Sequence, residues 1–248
     1  MILEERAYIK MKFSKRMDLF GESIFTTLAN MRSERKKQGL EVIDLSIGAP
    51  NIPPTQEVME TIAKEAMKPE NYLYAIKDSV DLQNTVKEWY ERRYGVVIDP
   101  TTELTSLLGS QDGLAHLALT LVDEGDTVLV QDPCYPIFRD GPLLAGAHVV
   151  TMPLLKENDY LIDFDRIDEK TAQDAKYMIV SYPNNPTCGV ANDEFYKKLI
   201  VFAKKYNIMI LHDNAYSELL FEGPGHSFLE FEGAKDVGIE FNSLSKTY

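Results

Sequence analysis

Between Leu104 and Phe241 the chain alternates short β-rich runs with stretches of helical spacing, and this alternation constrains the fold more than any other feature. Leu104 to Leu108, Thr127 to Val130, His148 to Met152, Tyr177 to Ser181, Ile208 to Leu211 and Val237 to Phe241 are short apolar runs that read as strands. Between them, Leu114, Leu117, Ala118, Leu121 and Val122 line one helical face, and Phe195, Leu199, Phe202 and Tyr206 line another. Asn192 stands where an N-cap belongs, with Asp193 and Glu194 in the first turn and Lys204-Lys205 in the last, as the helix dipole favours. Upstream, Val58, Ile62, Ala63 and Ala66 within Gln56 to Met67 give a further helix. Leu82, Val86, Trp89 and Tyr90 give the next. Strands separated by helices of this length predict an α/β fold, a mostly parallel sheet covered on both faces. Asn51 to Thr55, with Pro53-Pro54, is the domain boundary expected, dividing residues 1–52 from 53–248.

Composition narrows the class. A formal charge of −13 on 248 residues argues against nucleic acid, whose phosphates attract basic surfaces, and fits simple solubility. No apolar run approaches the ~18 residues of a membrane span. The segment Met1 to Lys12 lacks the apolar core of a signal peptide, and Met11 is an alternative start that makes residues 1–10 an extension. Two cysteines, Cys134 and Cys188, build no disulfide framework, so a reducing, cytoplasmic setting is expected. No metal site is expected either: His116, His148, His212 and His226 have no ligand spacing. Asp163, Asp165 and Asp168 read as a solvated, cap-rich loop.

In parallel α/β sheets ligands sit at the carboxyl ends of strands, and the unusual residues gather there. Gly109-Ser110-Gln111-Asp112-Gly113 opens a helix, where free N–H groups and a hydroxyl suit an anion, although by itself the segment reads first as an ordinary capped turn. Prolines on both sides of Cys134-Tyr135 fix Tyr135 as a stacking platform for a flat ring, or as a tyrosine packed in a loop. Asn185, within Tyr182-Pro183-Asn184-Asn185-Pro186-Thr187, either starts a turn or donates to a ring oxygen. Asp213 follows so apolar a run that partial burial is expected. A buried carboxylate needs a partner, for which a protonated ring nitrogen serves, and Tyr216 lies three residues on. Lys246 stands behind Ser243 and Ser245, just past the last strand; a lysine there suits a Schiff base with an aldehyde cofactor, and the serines suit its phosphate.

Taken together, in this order, these segments resemble the class I/II aminotransferases, fold type I enzymes that use pyridoxal 5′-phosphate. The resemblance runs from about Ser46 to Tyr248 and includes Ser46-Ile47-Gly48-Ala49-Pro50-Asn51, similar to that family's early Gly-x-Pro segment. It implies a three-layer α/β/α large domain, here incomplete, with the N-terminal part of a smaller domain. It implies Ser110, Gln111, Ser243 and Ser245 near the cofactor phosphate, Tyr135 stacked on the pyridine, Asn185 and Tyr216 on the ring oxygen, Asp213 on the ring nitrogen and Lys246 as the Schiff-base lysine. Gly48 is implied at the substrate carboxylate, and Tyr74 as the tyrosine that crosses a homodimer interface to the neighbour's phosphate. The implied reaction is ping-pong transamination between an L-amino acid and a 2-oxo acid.

Some residues depart from the family pattern. Ser79 and Gln83 stand near the places of its usual Gly and Arg, and Cys188 intervenes in what is usually Asn-Pro-Thr-Gly. Arginines that the family places after the lysine, for phosphate and for substrate carboxylate, do not occur in these residues. Nor does the antiparallel strand that pairs with Leu104 to Leu108, which is therefore expected to leave backbone unpaired. On this reading the 248 residues are an incomplete and inactive member. The alternatives are a C–S lyase, decarboxylase or racemase built on the same cofactor set, and a non-catalytic fragment that binds a partner subunit.

Overall fold

The computed structural model describes residues 11–248; the candidate extension, residues 1–10, lies outside them. The chain forms two compact units, divided between Ile47 and Gly48. The first contains the helix α1 (Ile24–Lys37), which buries none of its residues. In the same unit Asp44 accepts from Arg32 and from the backbone N–H and hydroxyl of Ser46, which holds its carboxyl down at about 2.

The second unit carries the sheet. Its strands are β1 (Thr127–Asp132), β2 (His148–Pro153), β3 (Ala175–Ser181), β4 (Met209–Asp213) and β5 (Gly238–Phe241). All pairings are parallel, in the order β2-β1-β3-β4-β5. Val128 to Gln131, Tyr177 to Ser181 and Ile210 to Asp213 are buried without a break, the pattern of strands covered on both faces. The helices α4 (Ser110–Leu121) and α5 (Pro136–Ala145) cover one face, where Leu114 and Phe138 pack with Val128, Val130, Ile179 and Leu211. The helix α7 (Asp193–Tyr206) covers the other, where Phe195 and Leu199 pack with Met178, Val180 and Ile210. Each such side chain, fully buried, is worth about 1.5–3 kcal/mol.

Helix ends follow the sequence closely. Asn192 caps α7, its side-chain oxygen accepting from the Phe195 N–H at 2.9 Å. The helix α3 (Val80–Tyr94) starts at Ser79, which accepts from the Leu82 N–H, and ends at Gly95 with φ 68°. Asp163 and Asp168 likewise accept backbone N–H groups, the capping role expected of that acidic loop; between Asp168 and β3 runs the short α6 (Glu169–Asp174). The remaining helix, α2 (Gln56–Ala66), is amphipathic yet buries nothing.

Three features differ from the sequence expectation. Leu104 to Leu108 is not a strand, because no neighbour in the sheet pairs with it: β5 is the edge on that side. The helix α1 has no regular apolar stripe to announce it, and α5 starts at Pro136, a residue suited to a first helical turn, inside what reads as a Pro-fixed loop.

Candidate active site

The carboxyl ends of β3, β4 and β5 and the N-terminus of α4 surround a cleft of about 270 Å³. Its floor is Asp213, at the end of β4, paired in register with Ser181 on β3 and Phe241 on β5. Asp213 is 7% exposed, and one of its oxygens accepts the Ala215 N–H at 3.2 Å. Burial pushes its carboxyl up to about 6, against that N–H. The partial burial expected from the sequence is in fact nearly complete.

Gly109, with φ 88°, turns the chain so that Ser110 and Gln111 open α4 at the cleft wall. Gly113, one turn in, has no room for a side chain: a Cβ there would stand 2.5 Å from Leu107 Cδ1 and 2.7 Å from Phe241 Cε1. This close approach brings the helix N-terminus to the strand ends. Tyr135 stands before α5, its hydroxyl donating to Gln111 Oε1 at 3.0 Å, its ring edge-on to Phe138.

The loop after β3 is tied from beneath. Gln131 Oε1, fully buried at the end of β1, accepts the Ser181 N–H at 2.8 Å and Asn184 Nδ2 at 3.3 Å. Asn184 Oδ1 in turn accepts the Thr187 N–H and hydroxyl. The residue that departs from the family pattern, Cys188, takes φ 60°, and the loop closes through Asn184 N–H to Gly189 O. Asn185 is thus presented to the cleft and donates to the Tyr216 hydroxyl at 3.3 Å. Burial raises the Tyr216 phenol, and the charge of Asp213 adds to it.

Lys246 lines the cleft beside Ser243 and Ser245, whose hydroxyls are 3.0 Å apart. Its Nζ lies 5.8 Å from the Tyr216 ring centre and donates to the Gly48 carbonyl at 2.9 Å. The cleft therefore gathers Ser110, Gln111, Tyr135, Asn185, Asp213, Tyr216, Ser243, Ser245 and Lys246, all singled out from the sequence. Gly48 joins only through its carbonyl, and Tyr74 is 92% exposed and does not line the cleft. Leu108, Phe138, Ser181 and Ala215 line it as well. They are small or apolar residues at strand and loop ends, with no chemistry to mark them in sequence.

The model for aminotransferase class I and II matches residues 41–248. The chain belongs to that family. It is 44% identical over 240 residues to the LL-diaminopimelate aminotransferase of Aquifex aeolicus, covering 96% of this chain and 62% of the relative. It is 42% identical to the enzyme of that name from Dehalococcoides mccartyi, with the same coverage. Among solved structures, substrate-bound BacF from Bacillus subtilis matches with a TM-score of 0.87 and 35% identity over 96% of this chain and 61% of that one. A probable N-succinyldiaminopimelate aminotransferase from Thermus thermophilus matches with a TM-score of 0.85 and 34% identity, covering 91% of this chain and 61% of that one. The chain thus spans about three-fifths of the length of these relatives, and its sheet belongs to the fold type I architecture.

The family uses pyridoxal 5′-phosphate, and the donor set of the cleft fits that group. A primary amine, a nearly buried carboxylate with a single N–H donor, a phenol paired with an amide, and three hydroxyls beside a helix N-terminus stand around one space. An aldehyde, a ring nitrogen, a ring oxygen and a phosphate need those four partners. The described residues hold no cluster of His, Cys, Asp or Glu that could bind a metal ion.

Proposed function

We propose that this chain carries the cofactor site of a transaminase that moves an amino group from an L-amino acid to a 2-oxo acid, with residues 53–248 as its cofactor-binding domain. The convergence of Lys246 and Asp213 on one cleft with the Asn185–Tyr216 pair carries this reading. The names of the relatives favour a diamino dicarboxylic acid, LL-diaminopimelate, as donor.

When bound, pyridoxal 5′-phosphate supplies an aldehyde that condenses with amines and a ring that takes up the electron pair left at the substrate Cα. Lys246 is the residue that holds it covalently, through Nζ. As a free neutral amine the same Nζ would be the base that takes the Cα proton of a substrate and returns it one carbon away. Nζ donates to the Gly48 carbonyl in this structure, and covalent attachment would leave it at most one proton for that bond. Asp213 would keep a proton on the ring nitrogen, and its burial would make that ion pair strong because little water competes. Asn185 and Tyr216 would donate to the ring oxygen, Tyr135 would offer a face to the ring, and Ser110, Ser243, Ser245 and the α4 N–H groups would hold the phosphate. Gln111 holds the Tyr135 hydroxyl, and Gly48 is assigned to the substrate carboxylate.

A cytoplasmic homodimer is part of the proposal. Met59 and Ile62 on α2, and Tyr72, Leu73, Tyr74 and Ile76 after it, form an exposed apolar stretch of the kind a second subunit covers. Tyr74 would then serve the neighbour's phosphate. Among the described residues no helix is long and apolar enough to cross a membrane.

Borohydride reduction of the full chain with pyridoxal 5′-phosphate tests the reading. One phosphopyridoxyl group on Lys246, absent from Lys246→Ala, is expected by peptide mapping. Labelling scattered over surface lysines would sink it. Half-reactions with a panel of amino acids, followed by the cofactor's absorbance, then rank the donors.

A further inference from the structure

The face of β4 and β5 turned away from the cleft holds a second polar group that the reaction outlined above does not use. Strand alternation turns His212 and Glu240, register partners, to the side opposite Asp213, and both side chains are wholly buried. Glu240 Oε1 accepts the Tyr90 hydroxyl at 2.9 Å and the Ser227 hydroxyl at 2.9 Å, and Oε2 accepts the Phe228 N–H at 2.7 Å. Ser227 Oγ also accepts the Leu229 N–H, which leaves its own proton for Glu240. His212 Nδ1 lies 3.3 Å from Glu240 Oε2, off the line of a well-aligned hydrogen bond but with no other partner. On the other side of the ring, Nε2 lies 3.3 Å from the Tyr196 hydroxyl of α7. Further titratable groups facing this cluster are Tyr182 and Glu230, which both act on Tyr196, and Tyr94 on α3, which donates to Glu218.

One assignment of protons satisfies every member. Glu240 takes three donors, two on Oε1 and one on Oε2; a proton on Oε2 would have to go to Nδ1, which would put the ring proton on Nε2 and take from the Tyr196 hydroxyl the acceptor for its own proton, so Glu240 is a carboxylate. His212 then carries its proton on Nδ1, toward Oε2, and its bare Nε2 accepts from Tyr196. The other tautomer would set a lone pair against the carboxylate and take from the Tyr196 hydroxyl the acceptor for its own proton. A buried negative charge therefore stands across the sheet from Asp213.

We propose that Glu240 is a positioning residue that locks His212 as the Nδ1–H tautomer and, through its charge, strengthens the hold of Asp213 on the proton of the cofactor's ring nitrogen. The last step rests on the transaminase reading; the tautomer does not. Burial is the largest influence raising the proton affinity of Asp213; the charge of Glu240 adds to it by less than a charged His212 would take away, and the neutral Nδ1–H tautomer removes that opposition.

Nitrogen-15 NMR of the histidine-labelled full chain, without cofactor, tests the first half. His212 is the fully buried one of the four histidines, so slow exchange of its ring proton identifies it without a mutation. A proton on Nδ1 and none on Nε2 is expected; a proton on Nε2 alone, or on both nitrogens, overturns the proposal. The second half is read in Glu240→Gln loaded with ring-labelled pyridoxal 5′-phosphate. There the ring nitrogen is expected to lose its proton at lower pH than in the parent chain, and an unchanged titration in the folded variant overturns the link to Asp213. Should Glu240→Gln fail to fold, the tautomer measured in the parent chain still decides the lock. Failure of the parent chain to take up the cofactor on Lys246 would end the transaminase reading and the last step with it, leaving the tautomer result standing.

Discussion

The helices α7 and α2 carry similar apolar stripes and meet different fates. In α7, Phe195, Tyr196, Leu199, Ile200 and Ala203 are buried against the sheet, and Asn192 caps the first turn through its side chain. In α2 the equivalent stripe, with Met59 and Ile62, stays exposed, no residue is buried, and Thr55 makes no side-chain cap bond. Periodicity states that a helix has a face to cover, and only the neighbour decides what covers it. The covered helix is held by tertiary packing; the uncovered one has its own propensity and whatever second surface meets it.

The sharpest way to break this contrast is truncation of the two stripes. Leu199→Ala opens a cavity between α7 and the sheet and is expected to cost about 2–5 kcal/mol. Ile62→Ala is expected to fall within about 0.5 kcal/mol in dilute protein. Denaturant midpoints measure both, and equal losses would show that α2 is covered after all.

Next in size is the charge that the covered region carries at the end of β4. Asp213, unfolded near 3.8 and folded at about 6, binds more protons in the folded state between those values. Stability without cofactor is therefore full below about pH 4 and falls as pH rises to about 6, by about 3 kcal/mol. Asp213→Asn is expected to remove that fall and to be more stable at pH 7 while failing to hold the protonated ring. A stability profile with the same slope in the variant would refute the assignment.

The helix caps give a smaller contrast. Asn192→Ala is expected to cost about 1 kcal/mol, whereas Thr55→Ala is expected to cost a few tenths. Thermal unfolding of the pair reads the difference. Smallest in folding free energy, yet informative about the partner, is Ile62→Asp. Its stability in dilute solution is expected to stay near the parent's, while sedimentation shows weaker self-association; unchanged association would remove α2 from the proposed dimer contact.

The central strands β1, β3 and β4 are legible because parallel strands buried on both faces read as unbroken apolar runs, and they lie within two residues of those runs; the edge strand β5, half-buried, lies within one. The cleft was legible because its residues fall directly after the runs, where the chain must turn. Leu104 to Leu108 misled because an apolar run gives strand propensity without saying whether a neighbour exists. The helix α5 hid behind Pro136, a residue that reads as loop but suits a first helical turn. Glu240 was overlooked inside the Val237 to Phe241 run, although an acidic residue in a buried strand is itself a sign of a partner across the sheet. His212 gave no hint either, since the sequence does not show which face of β4 it occupies relative to Asp213.

The hydrogen bond from Lys246 to the Gly48 carbonyl closes a span of 198 residues with one proton. A nitrogen held in a Schiff base has at most one proton left to donate, so covalent attachment would weaken or release this bond. The early glycine segment is thereby made a gauge of the lysine: a carbon-13 carbonyl label at Gly48 would register the release of Nζ.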